Sequence, residues 1–263
     1  WQSRVLFEMD EALRNREIYI ALQPQLNIRS GRISSAEVLV RWTHPEMGVI
    51  SPAEFVQMAE RGKRIDQLTQ YVIQSSFQFL RDAQKIDPGF NIAVNISPSL
   101  IGSAEFEFML HAALRVYGVK ASSIMLEITE NEQLLNNSGA QDAMGRLRDA
   151  GFGISIDDYG AGLSTLTYLL KVPANEVKLD RTLISTLRYN ERSQLLIQST
   201  ISVAQSLGMH VVAEGVEDPD TLAILRTLEC NLAQGYFIGQ PVGAEEILSI
   251  LESSSSVQAV AQA

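Results

Sequence analysis

Short runs rich in Val, Ile and Leu alternate along the chain with longer amphipathic stretches. The short runs predict strands at Tyr19–Gln25, Ser35–Trp42, Asn91–Ile96, Ile124–Thr129, Gly153–Asp157, Glu176–Asp180, His210–Glu214 and Ala233–Ile238. Several have few polar interruptions, as expected of strands buried on both faces. The longer stretches predict helices at Ala53–Glu60, Ile65–Lys85, Ser99–Tyr117, Ala140–Ala150, Ser193–Leu207 and Pro219–Leu228, after a leading helix at Arg4–Arg16. Gln194–Leu207 sets its apolar residues on one helical face and stops before Gly208, a suitable C-cap. Eight strands separated by helices point to a (β/α)₈ barrel, and 263 residues suit one. A doubly wound open sheet is the alternative. There is no internal repeat. From Ser253 the chain turns to Ser, Ala and Gln, too small and polar to add core, which predicts a disordered tail over 253–263.

Charge narrows the choice of partners. The net charge of −10, from 31 acids against 21 bases, argues against a non-specific DNA or RNA binder, which needs a basic face. A small nucleotide is still compatible, because bound divalent cations reverse the local sign. With Cys230 as the one cysteine, no internal disulfide and no thiolate zinc site can form, and a reducing compartment is the simplest reading. Cys230 sits beside an apolar strand and is expected to be buried. No apolar run reaches the ~20 residues needed to span a bilayer, and the charged, amphipathic start is not a signal peptide. The chain begins at Trp1 without an initiator Met, so it is expected to be a segment of a longer protein.

The placement of the polar residues is more informative than their number. Glu37 lies in AEVLVRW, Asn95 near the end of NIAVNIS, and Glu127 in IMLEITE. Asp157 and Asp158 close ISIDDYG, Lys178 and Asp180 sit in VKLD, Glu214 and Glu217 in VVAEGVE, and Gln234 in AQGYF. Taken singly, such a residue is more often a cap or a turn residue, and Asp180 and Glu217 fit that role. Taken together they would share one bowl, because barrel enzymes build their sites at the C-terminal ends of the strands. Two carboxylates ~4 Å apart repel by about 4 kcal/mol at an effective dielectric near 20. Several in one site must therefore hold protons or bind cations. The oxygen donors Glu37, Asn95, Glu127, Asp157, Asp158 and Glu214 suit Mg²⁺ or Mn²⁺. Two such ions ~3.5–4 Å apart serve in-line displacement at phosphorus. His44, His111 and His210 are scattered and lack metal-site spacing.

The ordered motifs resemble the EAL family of bacterial cyclic di-GMP phosphodiesterases. Its E-A-L-x-R stands here as Glu37-Val38-Leu39-Val40-Arg41, its W-x-H-P as Trp42-Thr43-His44-Pro45, and its P-x-x-F as Pro52-Ala53-Glu54-Phe55. N-x-S is Asn95-Ile96-Ser97, and E-x-T-E is Glu127-Ile128-Thr129-Glu130. The D-D-F-G-x-G loop is Asp157-Asp158-Tyr159-Gly160-Ala161-Gly162, K-x-D is Lys178-Leu179-Asp180, E-G-V-E begins at Glu214, and Q-G-Y is Gln234-Gly235-Tyr236. The match runs in order from about residue 5 to residue 252.

The resemblance implies an α/β fold, a modified TIM (β/α)₈ barrel in a single domain over 1–252 with residues 1–17 as its leading helix. It implies opening of cyclic di-GMP to pGpG by a two-metal-assisted water attack on one phosphodiester. Glu37, Asn95, Glu127 and Asp157 would hold one Mg²⁺ or Mn²⁺ ion. Asp157 and Asp158 would share the second, with Glu214 completing the shell. Lys178 would orient or activate the water or stabilise charge on the phosphate, and Glu130 would anchor the loop from Asp158 to Ser164. Gln23, Leu39, Arg41 and Gln234 would line the dinucleotide pocket; Arg41 alternatively serves as a structural ion-pair partner. The family also implies a homodimer through the region after the fifth strand. It further implies fused sensory or diguanylate-cyclase domains and a cytoplasmic location, with membrane anchoring possible only in the full-length protein. Departures are Val38 for Ala, Leu163 for the usual loop Tyr, Lys63 after Gly62, Asn231 for Asp, and Gln240 before Pro241; none removes a proposed ligand. Leu163 is expected to bear on loop dynamics, activity or dimerisation. A catalytically silent cyclic di-GMP receptor is the second reading, and an interaction domain without nucleotide the third.

Overall fold

The computed structural model describes residues 2–129, 137–161 and 166–261. Eight strands close a barrel: β1 (Ile18–Asn27), β2 (Arg32–His44), β4 (Asn91–Asn95), β5 (Ile124–Thr129), β6 (Gly153–Tyr159), β7 (Glu176–Leu179), β8 (His210–Ala213) and β9 (Leu232–Ala233). A ninth, β3 (Gly48–Ile50), extends β2 as a hairpin. From β2 through β4 to β9 all neighbours run parallel. β1 is the exception and lies antiparallel to both β2 and β9. Its link to β2 is only 28–31, where Gly31 takes φ 69°. So short a connection can reverse the chain but cannot make the long crossover that a parallel pair requires.

The helices wrap the outside: α1 (Gln2–Arg14), α2 (Pro52–Arg61), α3 (Ile65–Ala83), α4 (Ala104–Tyr117) and α5 (Ser138–Asp149), then α6 (Leu166–Lys171), α7 (Arg181–Ile184), α8 (Glu191–Ser206), α9 (Pro219–Thr227) and α10 (Ala244–Ala261). Seven of them match the expected positions with shifted ends; the short α6 and α7, like α10, carry too little periodicity to be read in the sequence. α4 begins at Ala104 instead of Ser99. Pro98–Leu100 forms a single 3₁₀ turn, and Ser103 then caps α4 by accepting from Phe106 N at 3.2 Å. α10, absent from the pattern analysis, buries Ile247 and Leu251; its backbone continues through the segment from Ser253. One apolar core joins the outward strand residues, such as Val38, Val94, Leu126, Ile154 and Val211, to the helices. Val38 thus faces away from the barrel interior, as strand alternation requires. Among the described residues no helix is long and apolar enough to cross a membrane.

The last strand is a correction. Ala233–Ile238 reads as six strand residues, but β9 stops at Ala233. Gly235 is the reason: a Cβ there would lie 2.2 Å from the Val216 carbonyl oxygen. The chain turns at this close approach, Val216 N donates to the Gln234 carbonyl at 3.0 Å, and Tyr236 and Phe237 are exposed. Cys230 is buried as expected, with its thiol pushed up to about 12 by burial. Glu130 and the loop residues 162–165, Leu163 among them, lie outside the described residues.

Candidate active site

The strand ends converge on one ammonium. Lys178, on β7 and 1% exposed, lies in the barrel interior. Its Nζ is 2.8 Å from Glu214 Oε1, 3.0 Å from Asp157 Oδ1, 3.1 Å from Glu127 Oε1 and 3.2 Å from Glu37 Oε2. Asn95 Nδ2 donates to Glu37 Oε1 at 2.7 Å, and Gln234 Nε2 donates to Glu37 Oε2 at 2.6 Å. Seven of the residues singled out by sequence, from β2, β4, β5, β6, β7 and the ends of β8 and β9, thus meet in one cluster.

Asp158 joins it by a backbone device. In a regular strand, neighbours face opposite sides, so Asp157 and Asp158 could not both enter the bowl. The β6–β7 register shifts between Ile156 and Tyr159, and Asp158 takes φ 56°. This bulge, with one residue in the left-handed region, re-aims the second carboxylate. Among the described residues Asp157, Asp158 and Glu214 each place a carboxylate oxygen within 4.8 Å of the others.

The electrostatics are those of a crowded acid site. If all ionised, five carboxylates (Glu37, Glu127, Asp157, Asp158, Glu214) around one ammonium would leave four negative charges uncompensated. Burial pushes the Glu37 carboxyl up, but Lys178 and the donors Gln234 and Asn95 outweigh it and hold the group below its ordinary value. Glu127 has no such donors, and burial, with Glu37 and Asp157 nearby, lifts it well above the carboxylate range. Burial raises Asp158, helped by Asp157, and pushes Glu214 up to about 7. Lys178 pays for burial too, yet its four carboxylate neighbours hold its proton firmly. Both Glu127 oxygens and Asp157 Oδ1 are buried without a well-directed hydrogen-bond donor. Buried acceptor oxygens without a donor, set among crowded acids, can be satisfied by a cation, and an all-oxygen donor set suits a hard divalent ion. The residues present therefore fit a metal site.

Two cavities flank the cluster and meet at Asp158. The larger, about 450 Å³, is lined by Leu39, Arg41, Asn95, Ser97 and Asp157 among others. The smaller, about 280 Å³, is lined by Gln23, Glu37, Arg181, Glu214, Gln234 and Tyr236 among others. Among the described residues Arg41 forms no ion pair; its guanidinium donates to the Val40 carbonyl at 3.0 Å. Asp180 caps α7 by accepting from Thr182 N at 2.8 Å, the capping role expected of it. His44 is also structural: its ring accepts from Glu46 N and Met47 N and bonds Glu8 at 2.5 Å.

Glu176 escaped the sequence reading, although it precedes Lys178 by two residues and so shares its inward face. It is 5% exposed, and burial lifts its carboxyl to about 7, partly offset by the Ser155 hydroxyl and Lys178. The folded state keeps this proton after the unfolded chain has lost it. The cost therefore accumulates from about pH 4.5 to about pH 7 and is complete above. Glu176→Gln is expected to leave stability nearly unchanged at pH 4.5 and to raise it at pH 8, by at most about 3 kcal/mol. Urea denaturation at the two pH values checks this; equal stabilities at pH 8 would contradict it.

The sequence matches the EAL domain family over residues 8–241. This chain belongs to the EAL domain family. The EAL domain is 36% identical over 236 residues to the cyclic di-GMP phosphodiesterase NbdA of Pseudomonas aeruginosa, covering 89% of this chain and 30% of NbdA. It is 33% identical over 242 residues to the cyclic di-GMP phosphodiesterase RocR of the same organism, covering 92% of this chain and 62% of RocR. The chain thus spans less than two thirds of the length of these relatives. Among solved structures, the PaMucR phosphodiesterase in complex with c-di-GMP superposes with a TM-score of 0.85 at 31% identity, covering 93% of this chain and 99% of that one. The EAL enzyme Bd1971 in its cGMP-bound form gives a TM-score of 0.88 at 27% identity, covering 95% and 69%. The fold is accordingly the modified TIM barrel of the family, with β1 reversed.

Proposed function

We propose that this EAL domain opens cyclic di-GMP to linear pGpG with two divalent cations, Mg²⁺ or Mn²⁺. The observation that carries the reading is the convergence of four carboxylates on buried Lys178, with Asp158 beside two of them, between two cavities that meet at Asp158. Glu37, Asn95, Glu127 and Asp157 would hold one ion; Asp157 and Asp158, with Glu214, would hold the other. Bound ions would supply Lewis acidity at the phosphate and lower the pKa of the attacking water.

The chain's own groups do the rest. Lys178 Nζ, fixed by four acids, is set to orient the water or to neutralise charge growing on the phosphate. Glu214, the most exposed of its four partners at 18% for the side chain, is the one placed to exchange a proton with bulk water. Arg41 projects a planar fork suited to a phosphate oxygen pair. Leu39 and Arg41 line one cavity, Gln23 and Gln234 the other, so a ligand with two nucleotide halves can straddle the acids. Glu130 as the anchor of the loop 158–164 belongs to the same reading. So do a homodimer, a cytoplasmic setting and fused sensory or diguanylate-cyclase domains; the relative MucR is named a bifunctional diguanylate cyclase/cyclic di-GMP phosphodiesterase.

Incubating cyclic di-GMP with the chain in Mg²⁺, in Mn²⁺ and in excess chelator tests the proposal. Chromatography is expected to show pGpG with either metal and none with chelator. An unchanged substrate peak in every tube, with tight binding by calorimetry, would favour the silent receptor instead.

A further inference from the structure

A file of buried hydrogen bonds crosses the barrel beneath the acids. Ser35 Oγ donates to Gln25 Oε1 at 2.7 Å, and Gln25 Nε2 donates to Gln234 Oε1 at 2.9 Å. Gln234 Nε2 then donates to Glu37 Oε2 at 2.6 Å and to Gln23 Oε1 at 3.1 Å. Ser35, Gln25, Gln234 and Glu37 are each more than nine-tenths buried. The direction of the file is dictated at one end. An ionised Glu37 carboxylate can only accept, so Gln234 must face it with its amide nitrogen. Gln234 Oε1 must then point away, and there it needs a donor. Gln23 closes the branch consistently, its own Nε2 donating to the Gly239 carbonyl at 3.3 Å.

Gln25 is the donor that Gln234 needs, and it cannot touch the substrate. Gln25 pairs with Ser35 across the β1–β2 hairpin, one layer below the Gln23–Glu37 pair. Gln25 and Ser35 line a small cavity shared with Asn91, Ser123 and Glu176, around the starts of the parallel strands; neither lines the cavities beside Asp158. Resting on the proposed function, we infer that Gln25, held by Ser35, is a positioning residue that locks the Gln234 amide and through it aims the Glu37 carboxylate for its divalent cation. Without Gln25 the buried Gln234 oxygen loses its donor, and the amide gains by turning, which sets an oxygen against Glu37.

The test uses the full chain and reads Mn²⁺ binding directly, from the electron paramagnetic resonance of free Mn²⁺, beside hydrolysis of cyclic di-GMP. Gln25→Met keeps length and bulk but has no donor. It is expected to weaken Mn²⁺ binding roughly tenfold, with its unfolding transition in chelator still cooperative. Ser35→Ala should weaken binding by a smaller factor and Ser35→Thr, which keeps the hydroxyl, should restore it; this pair decides the matter if Gln25→Met does not fold. Wild-type Mn²⁺ affinity in Gln25→Met overturns the inference, as does a loss in Ser35→Ala that Ser35→Thr does not recover. A wild-type chain that neither binds Mn²⁺ nor opens the dinucleotide overturns the proposed function, and the purpose of the file with it.

Discussion

Asp157→Asn is expected to lower the turnover of cyclic di-GMP at least about a thousandfold, a rise of about 4 kcal/mol in the barrier, while calorimetric binding of the dinucleotide stays within a few-fold. The change keeps size and shape but removes the charge at the one carboxylate proposed to serve both ions. Asp157 sits at the bulge of β6, touches Lys178 at 3.0 Å, and lies with Asp158 and Glu214 within 4.8 Å. Its burial makes the charge hard to replace from solvent. Steady-state kinetics in Mn²⁺ beside calorimetry in chelator separate the two effects. A variant hydrolysing as fast as wild type would remove Asp157 from the shared position.

The second large effect concerns stability. Lys178→Met should destabilise the chelated protein by about 3–5 kcal/mol, the cost of leaving buried charges without their partner. Four carboxylates lose their common counter-charge at once, and Glu127, which has no hydrogen-bond donor of its own, is the most exposed to that loss. Without the ammonium that now lowers them, Glu127 and Glu214 would be raised further above their ordinary values. Protonation then relieves the repulsion, so the deficit should shrink toward pH 5 and grow above pH 7. Millimolar Mn²⁺ should recover much of the lost melting temperature, because a ligand bound to the folded state stabilises it by mass action. Thermal melts in chelator and in Mn²⁺ across pH check all three statements. A melting temperature equal to that of the wild type in chelator would mean that Lys178 does not hold the cluster together.

Much of this arrangement was legible along the chain. Apolar runs that carry Glu37, Asn95, Glu127, Asp157, Lys178 and Glu214 within them or at their ends announced strands that share a site, because strand period and barrel closure bring such positions together. Cys230 and the helices α2, α3, α8 and α9 could be read for the same reason: local periodicity reports which face is buried. Other features were not legible. Ala233–Ile238 has the composition of a strand, yet the contact of Gly235 with the Val216 backbone stops it, and nothing near Gly235 in sequence announces that neighbour. Gln25 and Glu176 looked like ordinary polar positions because their partners, Gln234 and Ser155, lie far along the chain.

By itself, then, the sequence determined most element types, the barrel class and which acids would gather at the strand ends, since each follows from local pattern and side-chain chemistry. The tertiary structure alone decided that β1 runs backwards, that a bulge turns Asp158 toward Asp157, and that one lysine balances four acids above a file of amides. Those outcomes depend on strand register and on which residues meet across the barrel. Such contacts join residues as far apart as Glu37 and Gln234, and no local pattern encodes them.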